Sequence, residues 1–188
     1  MKNTTYSYSS VQVNLPSDLS KEIIQWGEDN ISENIIYRDP KESGYGREDE
    51  IHVTVLYGLH SQSSKETRMV VKDVKPFEIE LGKIKIFDTS DFFDVVMIDV
   101  KSDELHKLNR KLRYKVNYTN KYSKYQPHVT IAYVKHGNGK QYVGNTSFEK
   151  KKFIANHVVF SSKAGEKEKI KINENNQQFS SFMEGFNL

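Results

Sequence analysis

The chain has no cysteine among its 188 residues. Disulfides and thiolate metal sites are therefore excluded, and the composition suits a reducing compartment. Proline is scarce too, with four in all, and tryptophan occurs once. No apolar run approaches the length of a membrane span, and the polar stretch from Met1 to Ser10 has no apolar signal core. These absences predict a cytoplasmic protein with no membrane association. Neither sign of charge dominates, the formal net charge being +3. Such mild basicity permits a phosphate-bearing ligand without demanding one, a dedicated nucleic-acid binder usually carrying a more concentrated basic stripe, and the run Lys150-Lys151-Lys152 reads as charged surface.

What is present is enough for a core. Hydrophobic residues make up 36% of the chain and aromatic residues 12%, well clear of a disordered composition. The length suits one domain, or one domain of two similar lobes. Val11 and Val13 alternate with polar neighbours as in a strand. Pro16-Ser17-Asp18 reads as a helix start with Ser17 as N-cap, and Leu19, Ile23 and Trp26 follow at helical spacing. Residues 30–50, with Pro40, Gly44 and Gly46, read as a long loop, the kind that is often functional. Residues 51–57 are a strand. Ser63-x-x-Glu66 has the form of a capping box for a helix running to about Asp73.

Phe77, Ile79 and Leu81 alternate, as do Ile84 and Ile86, predicting a hairpin or a bulged strand around Gly82. Residues 95–100 form a more continuously apolar, central strand. Ser102-Asp103-Glu104 opens a helix whose buried stripe is Leu105, Leu108 and Leu112, with the acids suited to its N-terminal end. After a Tyr-rich loop at 117–126 come strands at 128–134, 153–160 and 168–172. The polar tail suggests a short helix carrying Phe179, Phe182 and Met183.

The chain repeats itself. HVTVLYGLH at 52–60 matches HVTIAYVKH at 128–136 in His, Val, Thr, Tyr and the second His, at an offset of 76 residues. A strand and a helix precede each copy, so the repeats span about 11–60 and 94–136 within one domain covering residues 1–188. In a strand, His and Thr of each His-x-Thr share a face while the intervening Val points to the other. Facing lobes related by a pseudo-twofold axis would bring His52, Thr54, His128 and Thr130 to one cleft. Tyr57 and Tyr133, three residues past each Thr, fall on the opposite face of a regular strand unless a bulge intervenes.

Two histidines on either side of a phosphorus atom can remove one proton and supply another near neutral pH. Threonine hydroxyls can donate to the non-bridging oxygens. This scheme needs no metal and no cofactor. The sequence has no His-x-His or HExxH pattern, and threonine is a poor zinc ligand.

The doubled His-x-Thr, with the surrounding GREDEIHVTVLYGLH, resembles the 2H phosphoesterase superfamily. That group includes bacterial RNA 2′,3′-cyclic phosphodiesterases (also called 2′-5′ RNA ligase-like proteins), 2′-5′ oligoadenylate phosphodiesterases and phage enzymes that destroy cyclic nucleotide signals. The likeness covers roughly residues 11–160. It implies an α+β fold, bilobal, with two pseudo-symmetric, mainly antiparallel sheets, outer helices and a central cleft. It also implies that His52 and His128 form the acid/base pair and that Thr54 and Thr130 bind phosphate.

The expected activity is metal-independent cleavage of an RNA-type phosphodiester: a 2′,3′-cyclic phosphate, a 2′-5′ linkage or a small cyclic oligonucleotide. A non-catalytic nucleotide sensor or sponge, and 2′-5′ end joining by the reverse reaction, are the alternatives. Tyr57 and Tyr133 are candidates for base stacking, Arg47 for a phosphate clamp, and Tyr125 for lining the cleft. The expected partner is a nucleotide or oligonucleotide substrate. A bilobal monomer needs no protein partner to complete the site.

Overall fold

The computed structural model describes residues 7–40, 44–87, 90–119 and 124–173. The expected tail helix with Phe179, Phe182 and Met183 lies outside the described residues. In chain order the elements are β1 (Ser9–Asn14), α1 (Ser17–Asn30), β2 (His52–Leu59), α2 (Lys65–Val71), β3 (Phe77–Phe87), β4 (Phe93–Lys101), α3 (Asp103–Lys115), β5 (His128–Lys135), β6 (Lys152–Ala155), β7 (His157–Ser161) and β8 (Lys167–Lys171). The strands form a sheet in the order β6-β3-β4-β5-β2-β1-β7-β8, antiparallel at every junction. The fold is α+β. Among the described residues no helix is long and apolar enough to cross a membrane.

The two expected sheets are the two halves of this one sheet. They meet where β2 and β5 touch through a single pairing, Val53 opposite Val129. On one side lie β2-β1-β7-β8 and on the other β5-β4-β3-β6. The unit β1-α1-β2 corresponds to β4-α3-β5 about a pseudo-twofold axis at that junction.

Helices α1 and α3 each cross to the other half. Helix α1 packs on β5, with Gly27 so close that a Cβ there would sit 3.0 Å from Ile131 Cγ2. Helix α3 packs on β2, where the buried Asn109 donates from Nδ2 to the Val55 carbonyl at 2.7 Å. Leu105, Leu108 and Leu112 of α3 are fully buried, as their spacing requires. At about 2 kcal/mol per buried leucine, this stripe is a substantial part of what holds the halves together.

The loops before the two motifs are exchanged in the same way. Residues 36–37 and 46–48 run along β5: Tyr37 N donates to Tyr133 O at 2.9 Å, Tyr133 N to Gly46 O at 2.8 Å and Glu48 N to Ile131 O at 3.0 Å. The 117–119 segment runs along β2: His60 N donates to Asn117 O at 3.0 Å and Thr119 N to Gly58 O at 2.9 Å. The strand edges left open where β2 and β5 diverge are thus satisfied by the loop of the opposite half.

Several local expectations are corrected. Ser17 is the first helical residue, and Pro16, extended at φ −54°, ψ 145°, takes the N-cap position with its carbonyl accepting from Ser20 N at 2.9 Å. The capping box at Ser63 does not form. Helix α2 begins at Lys65, so Ser63 Oγ accepts from the Lys65 amide at 3.3 Å. Ser102 does stand at the N-cap of α3, but its hydroxyl donates to Glu78 O at 3.0 Å and ties the helix start to β3. The single strand expected over 153–160 is two. Asn156 separates β6 from β7, which lie in opposite halves of the sheet. Around Gly82 the chain is one bulged strand, β3, with its register shift between Leu81 and Ile84.

Candidate active site

Val53 and Val129 are fully buried on the helix-covered face. Period-2 alternation therefore turns His52, Thr54, His128 and Thr130 to the other face, where all four are partly exposed. With Val53 opposite Val129 in an antiparallel pair, His52 stands toward Thr130 and Thr54 toward His128. The structure thus brings the two motifs together as a four-residue cluster at the centre of the open face.

The two imidazoles are held alike. His52 Nδ1 lies 2.7 Å from the Glu50 carbonyl oxygen and His128 Nδ1 lies 2.8 Å from the Gln126 carbonyl oxygen. A carbonyl only accepts, so each Nδ1 carries the hydrogen, and each neutral ring keeps its lone pair on Nε2. Burial holds the pKa of His52 below the ordinary histidine value, against the opposing pull of the Glu50 carbonyl and carboxylate. Burial also lowers that of His128. The Gln126 carbonyl opposes this, the charge of His52 lowers it further, and Asp99 raises it. Each ring therefore senses the charge of the other or of its carboxylate neighbour, and charging both at once is disfavoured.

Each histidine stands beside a carboxylate–lysine pair that the sequence reading missed. Asp99 is the cross-strand partner of His128, and Lys85 Nζ donates to its Oδ2 at 2.8 Å. Glu50, two residues before His52, accepts from Lys167 and from Asn14 Nδ2 at 3.1 Å and Gln12 Nε2 at 3.2 Å. Asn14 and Gln12 are the β1 partners of His52 and Thr54. The Phe87 ring stands edge-on to His128, with centroids 4.8 Å apart. A charged Asp99 inside an otherwise apolar strand was the one signal available in the sequence. Glu50, Lys85 and Lys167 carried none, since their positions depend on pairing between distant segments.

Both tyrosines of the repeat return to the motif face. The β1–β2 register shifts between Val11 and Gln12, placing Val55 as the extra residue, and the β4–β5 register shifts between Val96 and Met97, placing Ile131 as the extra residue. Each bulge follows the motif threonine directly and reverses the alternation. Tyr57 is consequently 47% exposed and meets Tyr8 edge-on with centroids 6.0 Å apart. Tyr133 sits among Tyr37, Tyr45 and Phe93 in a half-buried ring cluster, 5.1 Å from Tyr45 and 5.5 Å from Phe93.

Arg47 and Tyr125 are used elsewhere. The Arg47 guanidinium caps the C-terminal end of α1, donating from Nε to Gly27 O at 3.3 Å and from Nη2 to Ile31 O, and pairs with Glu33. The structure does not bring it to the histidines. Tyr125 donates its hydroxyl to the Thr54 carbonyl at 3.0 Å, and burial raises its pKa. It holds the chain before His128 against the other motif strand. Of the repeated second histidines, His60 Nε2 lies 2.8 Å from Thr119 Oγ1 and His136 Nδ1 lies 3.4 Å from the buried Asp94 Oδ1. Both sit just past the strand ends.

Comparison with known proteins places this arrangement in context. The 2′-5′ RNA ligase superfamily matches residues 33–160. No curated protein matches. Among solved structures, TT0787 of Thermus thermophilus superposes with a TM-score of 0.62 at 12% identity, covering 89% of this chain and 99% of that one. LigT of E. coli, solved with NADP+, gives 0.60 at 13% identity, covering 88% and 94%. Usb1 of Kluyveromyces marxianus, solved with uridine monophosphate, gives 0.51 at 8% identity, covering 88% and 98%. At these identities the likeness is one of fold.

Proposed function

Because the chain belongs to the 2′-5′ RNA ligase superfamily, with the activity of a 2H phosphoesterase or RNA ligase-like protein that membership supports, we propose that it hydrolyses RNA-type phosphodiesters by two-histidine acid/base catalysis. The observation that carries this reading is the Val53–Val129 pairing, which sets His52, Thr54, His128 and Thr130 on one face about a pseudo-twofold axis. Both Nδ1 atoms are committed to backbone carbonyls, which leaves both Nε2 atoms for proton transfer.

In the proposed reaction a diester phosphorus sits between the rings. One neutral Nε2 takes the proton of the attacking water while the other ring, protonated, gives its Nε2 proton to the leaving ribose oxygen. Each such transfer contributes about 10²- to 10⁴-fold. The Thr54 and Thr130 hydroxyls donate to the two non-bridging oxygens as charge builds there. The reaction ends with the proton moved from one ring to the other, and exchange with solvent resets the pair. No step calls for a metal. LigT and Usb1 were solved with the nucleotide ligands NADP+ and uridine monophosphate, which suits a nucleotide-bearing substrate here.

The test is a cleavage screen in EDTA over 2′,3′-cyclic mononucleotides, 2′-5′ and 3′-5′ oligonucleotides and small cyclic oligonucleotides, read by mass spectrometry. Turnover that disappears in a His52→Ala, His128→Ala double variant supports the proposal. Tight binding of one member without any product would replace it with the sensor or sponge reading.

A further inference from the structure

The motif face extends well beyond the four central residues, and its far end is basic. Directly paired residues of neighbouring strands share a face, so the register can be followed across the sheet. Thr54 pairs with Gln12, Gln12 with Val159, and Val159 with Lys169. Likewise Tyr57 pairs with Ser10, Ser10 with Ser161, and Ser161 with Lys167. Lys171, opposite His157, completes the same alternation on β8. Each row starts at a residue of the first motif strand and ends at a lysine. Glu168 and Ile170, between the lysines, turn to the other face, where Glu168 pairs with Arg68 and Ile170 is buried. In the sequence the lysines are interrupted by these residues and form no basic run. Folding gathers them into one.

The row also curls back toward the site. In a flat sheet β8 lies about 14 Å from β2, yet the Lys167 ammonium reaches the carboxylate of Glu50, beside His52, and its charge is felt at the His52 ring. That contact neutralises the carboxylate of Glu50 between the row and His52. Successive lysines of the row are about 6.7 Å apart, a stride of the same order as that between phosphates of an extended single strand.

We infer that the β8 lysine row is a track for the phosphodiester backbone next to the scissile bond, so that the substrate is an oligonucleotide carrying further phosphates. This rests on the phosphodiesterase reading for the identity of the scissile group and adds the substrate class. It also involves β8, which lies beyond the residues that match the superfamily.

The test measures binding of a fluorescein-labelled RNA tetranucleotide to the full chain bearing His52→Ala and His128→Ala, which spares the probe, across a series of salt concentrations. Lys169→Gln and Lys169→Glu are then added to that background, with unfolding midpoints as a check on folding. The expected result is a two- to fivefold weaker Kd for Lys169→Gln, a larger loss for Lys169→Glu, and a salt slope shallower by about 0.7 for one lost phosphate contact. A 2′,3′-cyclic mononucleotide is the comparison ligand.

An unchanged tetranucleotide slope, or an equal loss for the mononucleotide, overturns the track. So does an absence of RNA binding. Failure of the wild-type chain to cleave any diester refutes the phosphodiesterase reading separately, because the binding arm needs no turnover.

Discussion

Replacing Gly58 with alanine is expected to force the 117–119 segment off the edge of β2. Gly58 has φ +98°, and a Cβ there would lie 1.8 Å from the Thr119 carbonyl oxygen. A carbon–oxygen contact tolerates no less than about 3.3 Å, so strand and segment must separate by roughly 1.5 Å. That separation breaks the Thr119 N to Gly58 O and His60 N to Asn117 O hydrogen bonds, each worth about 1 kcal/mol net. The left-handed backbone adds about 1 kcal/mol for any residue with a Cβ. The expected loss is about 3 kcal/mol, read as a lower urea midpoint at unchanged m-value. Gly137→Ala is the control: its φ is +82° but nothing lies within 4 Å of an added Cβ, so only the backbone component, about 1 kcal/mol, applies. The same segment leads toward Tyr125 and His128, so Gly58→Ala should also lower kcat. A Gly58→Ala protein no less stable than Gly137→Ala would refute the reasoning.

Two further outcomes follow from half-buried polar groups in the chain before each motif. Burial first, then the charges of Asp49 and Glu50, raise the Glu48 carboxyl pKa to about 7. The folded protein thus holds this proton more tightly than the unfolded chain does. The resulting penalty is absent below the ordinary glutamate pKa, grows as pH rises toward about 7, and is fully present above it, with an upper bound of about 3 kcal/mol that partial exposure reduces. Glu48→Gln should therefore raise the unfolding midpoint at about pH 8 more than at about pH 5, and identical gains at both would contradict the assignment. Tyr125→Phe should lower stability by about 1 kcal/mol through loss of its bond to the Thr54 carbonyl and lower kcat more than it raises KM. A variant with unaltered stability and kcat would show that the hydroxyl does not position the motif strand.

The architecture was legible where one periodicity dominated. The doubled HVT strands and the Leu105-Leu108-Leu112 stripe follow from spacing within one segment, and around Gly82 the spacing left a hairpin or a bulge, of which pairing with β4 made the bulge. What could not be read depended on partners far along the chain. Tyr57 and Tyr133 face the site only because bulges follow Thr54 and Thr130 in register with β1 and β4. Nothing in either strand alone announces an extra residue. The run 153–160 is apolar enough for one strand, and only its division between opposite halves of the sheet makes Asn156 a break.

At the start of α3 the position was read correctly, Ser102 standing at the N-cap, but its hydroxyl found a longer-range use on β3. Arg47 was a reasonable phosphate ligand by its loop and charge, but the C-terminal carbonyls of α1 are a nearer demand. The candidate histidines and threonines were found because the repeat marks them twice. Their supporting residues Asn14, Glu50, Asp99 and Lys167 occur once each and acquire meaning only in the folded sheet.

The central claim is that His52 and His128 share the two proton transfers, and the pH dependence of kcat/KM in EDTA tests it most directly. The account predicts a bell for the wild-type protein, with its basic limb below the ordinary histidine value because burial lowers both rings. His52→Ala and His128→Ala should each lose about 10²- to 10⁴-fold in rate and one limb of the bell. A single variant that kept the wild-type rate, or that lost rate while keeping both limbs, would contradict it.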